Sequence, residues 1–267
     1  MLAWLLSSSL GYVVKPAAFL FTAGAVYHGL WRAFNRFVAR QLRRPSGAIG
    51  TATAAFYSLY YGAGSAELLA SLLSLPPGAV VLDACAGPGT CVGALLKRLA
   101  ALARHDKSSA PRPSLLLLDW SETILETCKE DSCKDIPAGV DVSFHCANAT
   151  STPFSAQSVD AAILYQAVEY FPEPGALPQL LAEMFRVLRP GGTLAIGLAS
   201  PMALLELQHF QAGVIQGVNR AIGSNEVAEA AEKVGFECPE VHLAEPDSDA
   251  DPPIPLPCTM LLLVKPT

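Results

Sequence analysis

Residues Ala79 to Gly93 read AVVLDACAGPGTCVG: an apolar run, an acid, a turn of small residues and the start of a helix. Val80, Val81 and Leu82 suit a strand buried on both faces, as in a parallel sheet. Gly87-Pro88-Gly89 lets the chain turn sharply and brings its backbone close to a ligand at the N-terminus of the next helix. Strand, turn and helix in that order make a nucleotide-type binding turn and predict an α/β fold. A dinucleotide turn wants its glycines spaced G-x-G-x-x-G, and counting from Gly87 puts Val92 where the third should stand. What fits better is an acid at the strand's end, Asp83, with a small-residue loop two positions on. Cys85 opens that loop. A cysteine is small enough for such a turn but is strained wherever positive φ is required. A tight turn that holds no ligand is the plain structural alternative.

The chain of 267 residues is long enough for one well-cored α/β domain with an appendage, and 51% hydrophobic against 16% charged residues is apolar for a soluble enzyme. Its charge is split by region. Residues 1–66 hold Lys15, Arg32, Arg36, Arg40, Arg43 and Arg44 and no acid, a charge of +6, while the remainder carries −12. An acidic body argues against a nucleic-acid substrate, and a basic, apolar front end argues for a membrane surface or a targeting sequence. The seven cysteines, Cys85, Cys91, Cys128, Cys133, Cys146, Cys238 and Cys258, are scattered and lack a C-x-x-C pair. They read as reduced, mostly buried small hydrophobes, with neither a metal site nor a disulfide framework.

Leu2 to Leu30 is nearly uncharged, interrupted by Lys15-Pro16 and His28. A span needs about 20 apolar residues: Leu2 to Val14 is too short alone, Pro16 to Trp31 is borderline, and a helix crossing both with Lys15 near one face would suffice. Over residues 31–44, Trp31, Phe34, Phe37, Val38 and Leu42 gather on one arc of a helical wheel and the five arginines on the other, the pattern of an interfacial helix. Residues 1–44 are therefore expected to associate with a membrane, leaving the following domain, residues 45–267, on the cytoplasmic, matrix or stromal side. A lid packed over the domain and a cleaved organellar transit peptide are the alternatives. Arg43-Arg44-Pro45-Ser46-Gly47 breaks this helix, and Ala48 to Leu75 reads as helices in which Tyr57, Tyr60 and Tyr61 are possible pocket residues.

Beyond the turn, Thr90 to Ala103 repeats Val92, Leu95, Leu96, Leu99 and Leu102 at helical spacing. Leu115 to Leu118 is a second buried strand ending in Asp119-Trp120-Ser121, with Ser121 an N-cap. Val140 to Cys146 and Ala161 to Tyr165 read as the third and fourth strands. Leu177 to Leu188 reads as a helix running into R-V-L-R-P-G-G-T-L, residues 186–194, and a fifth strand, Leu194 to Leu198. Pro201 to Ile222 is apolar. Ser224 is expected to cap a helix to Val234, followed by strands Glu240 to Ala244 and Met260 to Val264.

These stretches resemble the class I S-adenosyl-L-methionine-dependent methyltransferases, in particular the ubiquinone-methylase-like group (methyltransferase type 11). Asp83 to Gly89 is similar to that family's acid-x-Gly-x-Gly-x-Gly turn, with Cys85 in place of the first glycine. Asp119 to Leu125 matches D-x-S-x-x-x-L. Residues 147–160 resemble G-D-A-x-x-L-P-F-x-x-x-S-F-D, with Asn148 in place of the acid, and residues 186–194 match R-V-L-x-P-G-G-x-L. The likeness runs from Leu68 to Lys265 and extends upstream to Leu42 to Gly47. It implies a Rossmann-like, doubly wound, mostly parallel seven-stranded sheet with an antiparallel C-terminal hairpin and N-terminal helices. It implies S-adenosyl-L-methionine as cofactor, held by Asp83, Cys85, Ala86, Gly87 and Gly89 in the turn, Asp119 and Trp120 after the second strand, Asn148 and Ala149, and Tyr165.

The methyl acceptor should approach the carboxyl edge of the fourth strand, where Gln166 and Glu169 are the candidate catalytic residues and Glu169 the candidate base. The implied activity is methyl transfer to a small, apolar or lipid-like acceptor near a membrane. The alternative is a methyltransferase-fold assembly protein with weak or no catalysis, for which Cys85 and Asn148 speak.

Overall fold

The computed structural model describes residues 24–34, 36–37, 40–41, 44–52, 63–105, 111–171, 173, 175–199, 222–245, 247–249 and 258–267. Seven strands form one sheet: β1 Val80–Ala84, β2 Ser114–Asp119, β3 Asp141–Cys146, β4 Val159–Tyr165, β5 Leu188–Ala199, β6 Glu237–Ala244 and β7 Cys258–Val264. Their order is β3-β2-β1-β4-β5-β7-β6. The first five run parallel, and β7 lies antiparallel between β5 and β6. This is the expected mostly parallel seven-stranded α/β sheet with its antiparallel end.

Alternation along the strands divides the core into two layers. Val81, Leu117 and Ile163 face one side, against helices α1 Ala63–Ser71 and α2 Val92–His105. From these helices Leu69, Leu95 and Leu99 are fully buried. Leu82, Leu118 and Leu164 face the other side, against α4 Ala176–Val187 and α5 Ser224–Val234, with Leu180, Leu181, Met184 and Val227 buried there. A short helix α3, Glu122–Thr127, follows β2 and widens into a π turn at Cys128–Ser132.

Several boundaries differ from the sequence reading for local reasons. Ser121 does cap α3, its Oγ accepting the Ile124 N–H at 3.3 Å. Ser224, by contrast, is the first residue of α5, and Gly223 is the N-cap, without a side-chain bond. Arg189 to Gly192 form part of β5, which starts directly at Leu188 and carries an irregularity opposite Asp160. A side chain at Gly192 would lie 2.9 Å from the Asp160 carbonyl, so only glycine allows that approach. Asp160 ties the bulge down by accepting the Val80 N–H and pairing with Arg189. Lys265 donates to the carbonyls of Phe185 (2.7 Å) and Leu188 (2.8 Å), a cation satisfying the open C-terminal end of α4.

Residues 24–34 are helical, and Tyr27, Trp31 and Phe34 stack in sequence at 6.3 and 6.1 Å. Phe34 and Phe37 stay exposed. Among the described residues no helix is long and apolar enough to cross a membrane. Most of the expected span, residues 1–23, lies outside the described residues, as do Val38, Leu42 and Arg43 of the interfacial helix, Tyr57, Tyr60 and Tyr61, and Pro201 to Ala221.

The chain returns to the sheet at Gln41, whose side chain is bonded both ways to Ser46. The Pro45 carbonyl accepts the Ser121 hydroxyl, and the Arg44 guanidinium lies 5.8 Å from the centre of the Trp120 ring. Gly50 closes this strap so tightly that an added Cβ would sit 2.8 Å from Pro45 and 3.2 Å from Thr123.

Candidate active site

The carboxyl ends of β1, β2 and β4 open into one cavity of about 390 Å³. The turn after β1 supplies its floor. Cys85 and Ala86 both donate their N–H groups to the Leu118 carbonyl, at 2.8 and 2.9 Å, which pins the turn to β2. Gly87 donates to Asp119 Oδ2 at 3.1 Å. The turn needs left-handed backbone at three places: Cys85 (φ +78°), Gly87 (φ +55°) and Gly89 (φ +96°). Glycine meets this freely at two of them, while Cys85 bears the strain of an L side chain in left-handed backbone. Replacing Cys85 by glycine is therefore expected to raise the unfolding free energy by about 0.5–1 kcal/mol, the αL strain relieved less the extra unfolded-state freedom of glycine. Denaturant midpoints compare the two proteins, and a lower midpoint for Cys85→Gly would contradict the strain argument.

Asp83 and Asp119 end adjacent strands and both line the cavity. Asp83 is 1% exposed, and its Oδ2 has no hydrogen-bond partner among the described residues. Burial, then the nearby Asp119 and Cys133, push its pKa up to about 7. Burial also raises Asp119, to about 6, against the pull of N–H groups from Ser121, Gly87 and Trp120. Oδ1 of Asp119 accepts from Ser121 (2.9 Å) and Oδ2 from Gly87, and the carboxylate keeps lone pairs for a ligand. Trp120, 40% exposed, and Pro45 of the strap close this end of the cavity.

Asn148 and Ala149 line the same end; the Asn148 amide oxygen accepts the Thr150 N–H at 3.0 Å and so is held in an Asx turn. Tyr165 lies at the opposite end, its hydroxyl bonded to Ser65 Oγ (3.0 Å) and accepting from Gln166 Nε2 (3.2 Å), with burial raising its pKa. Gln166 is the second cavity-lining residue other than glycine in left-handed backbone (φ +49°), held by an N–H bond to the Gly197 carbonyl. Its Oε1 is buried without a hydrogen-bond partner among the described residues.

Two sequence-based candidates fall outside the cavity wall. Glu169 lies in the short 3₁₀ turn Val168–Tyr170, 1% exposed and off the cavity wall. Gly89 faces away, with Ser132 and Cys128 packed where a side chain would go. The carboxylate that does line this side is Glu173, together with Tyr170, Phe171 and Gln179. Glu173 is not among the sequence candidates, although it stands just before α4 and only four residues after Glu169.

A family model, described as a methyltransferase domain, matches residues 86–196. Over these residues the chain is similar to that domain, and its sheet has the class I methyltransferase fold. The bifunctional biotin biosynthesis protein BioHC of Teredinibacter turnerae is 26% identical over 162 residues, 60% of this chain and 27% of that protein. The malonyl-[acyl-carrier protein] O-methyltransferase of Hahella chejuensis is 33% identical over 140 residues, 50% of this chain and 47% of the relative. The chain thus spans less than half the length of these curated relatives. A solved structure of an S-adenosylmethionine-dependent methyltransferase from Methanosarcina mazei superposes with a TM-score of 0.54 at 15% identity, covering 72% of this chain and 94% of its own. At that identity the likeness is one of fold, and the methyltransferase sheet is the fold seen here.

Proposed function

We propose that this protein is an S-adenosyl-L-methionine-dependent methyltransferase acting on a small, apolar acceptor. The observation that carries the proposal is the pair Asp83 and Asp119 on one cavity wall, with a buried Asp83 oxygen left open toward a cation. The residues fit the cofactor. Asp119 keeps lone pairs for two ribose hydroxyls, Trp120 and Pro45 offer apolar surface to an adenine, and Ala149 offers a backbone N–H at the same end. Asp83 suits an ammonium group, and the Cys85 to Gly87 turn lets the backbone approach. When bound, the cofactor supplies an activated methyl group on a sulfonium, open to in-line displacement. The protein's part is alignment and exclusion of water. Gln166 Oε1 is placed to accept a hydrogen bond from the acceptor, and Glu173 takes a proton where the nucleophile must lose one.

Among the described residues the wall carries three carboxylates, Asp83, Asp119 and Glu173, and no lysine, arginine or histidine. Such a wall offers nothing to a free carboxylate like that of a malonyl group, which favours a neutral or cationic acceptor over the substrate class named for the Hahella relative.

Calorimetry on the full chain tests the reading. S-adenosylmethionine and S-adenosylhomocysteine are expected to bind and NADH not to. Binding of neither sulfur compound would leave the assembly-protein alternative, which the strain at Cys85 favours. The same titrations have a pH signature. Raised carboxylate pKa values mean that the empty fold is most stable where both acids are protonated, below their ordinary range, and loses that contribution as pH climbs through about 6 to 7. A cationic ligand needs the ionised forms, so S-adenosylmethionine affinity is expected to rise across that window with net proton release. A flat profile between about pH 5.5 and pH 8 would contradict this assignment of Asp83 and Asp119.

The acceptor is proposed to come from a membrane surface reached through residues 1–44, with the domain on the cytoplasmic, matrix or stromal side. Supporting it are the acid-free basic front end and the exposed Tyr27, Leu30, Phe34 and Phe37 beside exposed Arg32, Arg36 and Arg40. Full-length protein is expected to float with anionic liposomes and to remain bound in high salt, because the apolar residues anchor it and salt screens only the arginines. Protein left at the bottom of the gradient at low salt would remove the membrane from the proposal.

A further inference from the structure

Cys128 and Cys133 lie outside the cavity wall, and the methyl-transfer reading gives them no task. In an α-helix, residues five apart point about 140° away from each other. The π turn Cys128–Ser132 abolishes that separation, because its i→i+5 bonding sets Cys133 over Cys128. The two buried thiols act on each other: Cys133 raises the pKa of Cys128, and Cys128 lowers that of Cys133. Both are buried, yet Cys133 sits beneath a surface turn whose Asp131, Lys134, Asp135 and Ile136 are exposed, so a small local opening admits a reagent.

The pair is also wired to the cofactor turn. Ser132 Oγ donates to the Pro88 carbonyl at 2.8 Å. A side chain at Gly89 would lie 2.5 Å from Ser132 Oγ and 2.9 Å from Cys128 Sγ, so the turn rests directly on this segment.

We propose that Cys128 and Cys133 are a thiol-modification site that closes to a disulfide by exchange with a small-molecule disulfide of the glutathione type, loosening the turn Ala86 to Gly89. The second half rests on the reading of that turn as part of the cofactor site.

Cys133 lies nearer the exposed turn, and the neighbouring Cys128 thiol lowers its pKa while that of Cys128 is raised, which makes Cys133 the attacking sulfur. Its thiolate attacks one sulfur of oxidised glutathione, the glutathione S–S bond breaks, and one glutathione leaves as thiolate and takes up the proton Cys133 lost. Cys128, losing its proton, then attacks the Cys133 sulfur and expels the second glutathione as thiol. Two protein thiols are oxidised and one glutathione disulfide is reduced. Bringing the sulfurs to about 2.05 Å draws Cys128 away from Gly89 and shifts Ser132 against Pro88.

The test uses the full-length protein in glutathione buffers of increasing oxidised fraction, with peptide mass spectrometry, hydrogen exchange and S-adenosylhomocysteine calorimetry on the same samples. Expected are a Cys128–Cys133 cross-link, faster exchange at Gly87 to Cys91 and an affinity about tenfold lower, all reversed by dithiothreitol. Cys133→Ser should remove these responses while keeping the affinity of the reduced protein, and Cys128→Ser should likewise form no cross-link. A folded protein that keeps both thiols, or that holds only a mixed disulfide, overturns the site. A cross-link with unchanged exchange at the turn overturns the coupling. If the reduced protein fails to bind S-adenosylhomocysteine, the cofactor reading falls, and cross-link and exchange still decide this inference.

Discussion

Alanine in place of Gly89 is expected to cost the domain about 2–5 kcal/mol of folding stability and to bring S-adenosylhomocysteine binding below detection. Two independent terms add here. At φ +96° an L side chain is strained, by about 1–2 kcal/mol. Its Cβ would also arrive 2.5 Å from Ser132 Oγ and 2.6 Å from Ser132 Cβ, contacts that force either the π turn or the glycine turn to move and cost about 1–3 kcal/mol. Gly93 supplies the control. It lies in the first turn of α2 with nothing within 4 Å of an added Cβ, so Gly93→Ala is expected to be neutral or slightly stabilising. Urea denaturation of the two variants reads the difference, and equal midpoints would show that the turn does not lean on Ser132 and Cys128.

The second large effect belongs to Asp119. Replacing it by alanine is expected to weaken S-adenosylhomocysteine binding by about 1.5–3 kcal/mol, roughly 12- to 160-fold, the range for hydrogen bonds to a charged group. The fold should survive, since the charged form of Asp119 is opposed by burial and its backbone partner Gly87 borders the cavity, where water can take its place. The two N–H groups it releases also let the glycine turn drift, so some of the loss is positional. A folded variant with unchanged affinity, by circular dichroism and calorimetry, would remove Asp119 from the ligand's contacts.

The parts of this architecture that local chemistry dictates were legible in the sequence. β1, β2 and β4 are short apolar runs, each bounded by an acid or a turn, and a parallel sheet is the arrangement that buries such strands on both faces. The acids closing β1 and β2 follow from the same pattern, because the next residue must leave the sheet where the ligand enters. What escaped the sequence was set by contacts between distant positions. Nothing near Pro45 indicates that its carbonyl meets Ser121, 76 positions on. Glu169 and Glu173 are equally plausible carboxylates by neighbourhood alone, and it is the 3₁₀ turn after β4 that carries one behind the wall and leaves the other on it. Ser224 carries the chemistry of a cap, but the extended residue falls one position earlier, at Gly223. Cys85 is the middle case: the sequence showed a non-glycine residue in the glycine turn and the cost that positive φ would carry there, and the structure sets it at φ +78°.

The strand order has a consequence for how the molecule is made. β6 is synthesised before β7, yet it reaches the sheet only through β7, which lies between it and β5. On the ribosome, therefore, the β5 edge stays open after every parallel strand has emerged, and β6 waits as a ribbon with nowhere to pair. Only when Cys258 to Val264 emerges can both edges close at once. Until then the nascent domain presents a long apolar row, Leu194 to Leu198, as an unpaired template of the kind that recruits chaperones or neighbouring chains. The order of the sheet thus sets a vulnerable interval in synthesis, and its length is the time taken to translate the residues between Ala199 and Val264.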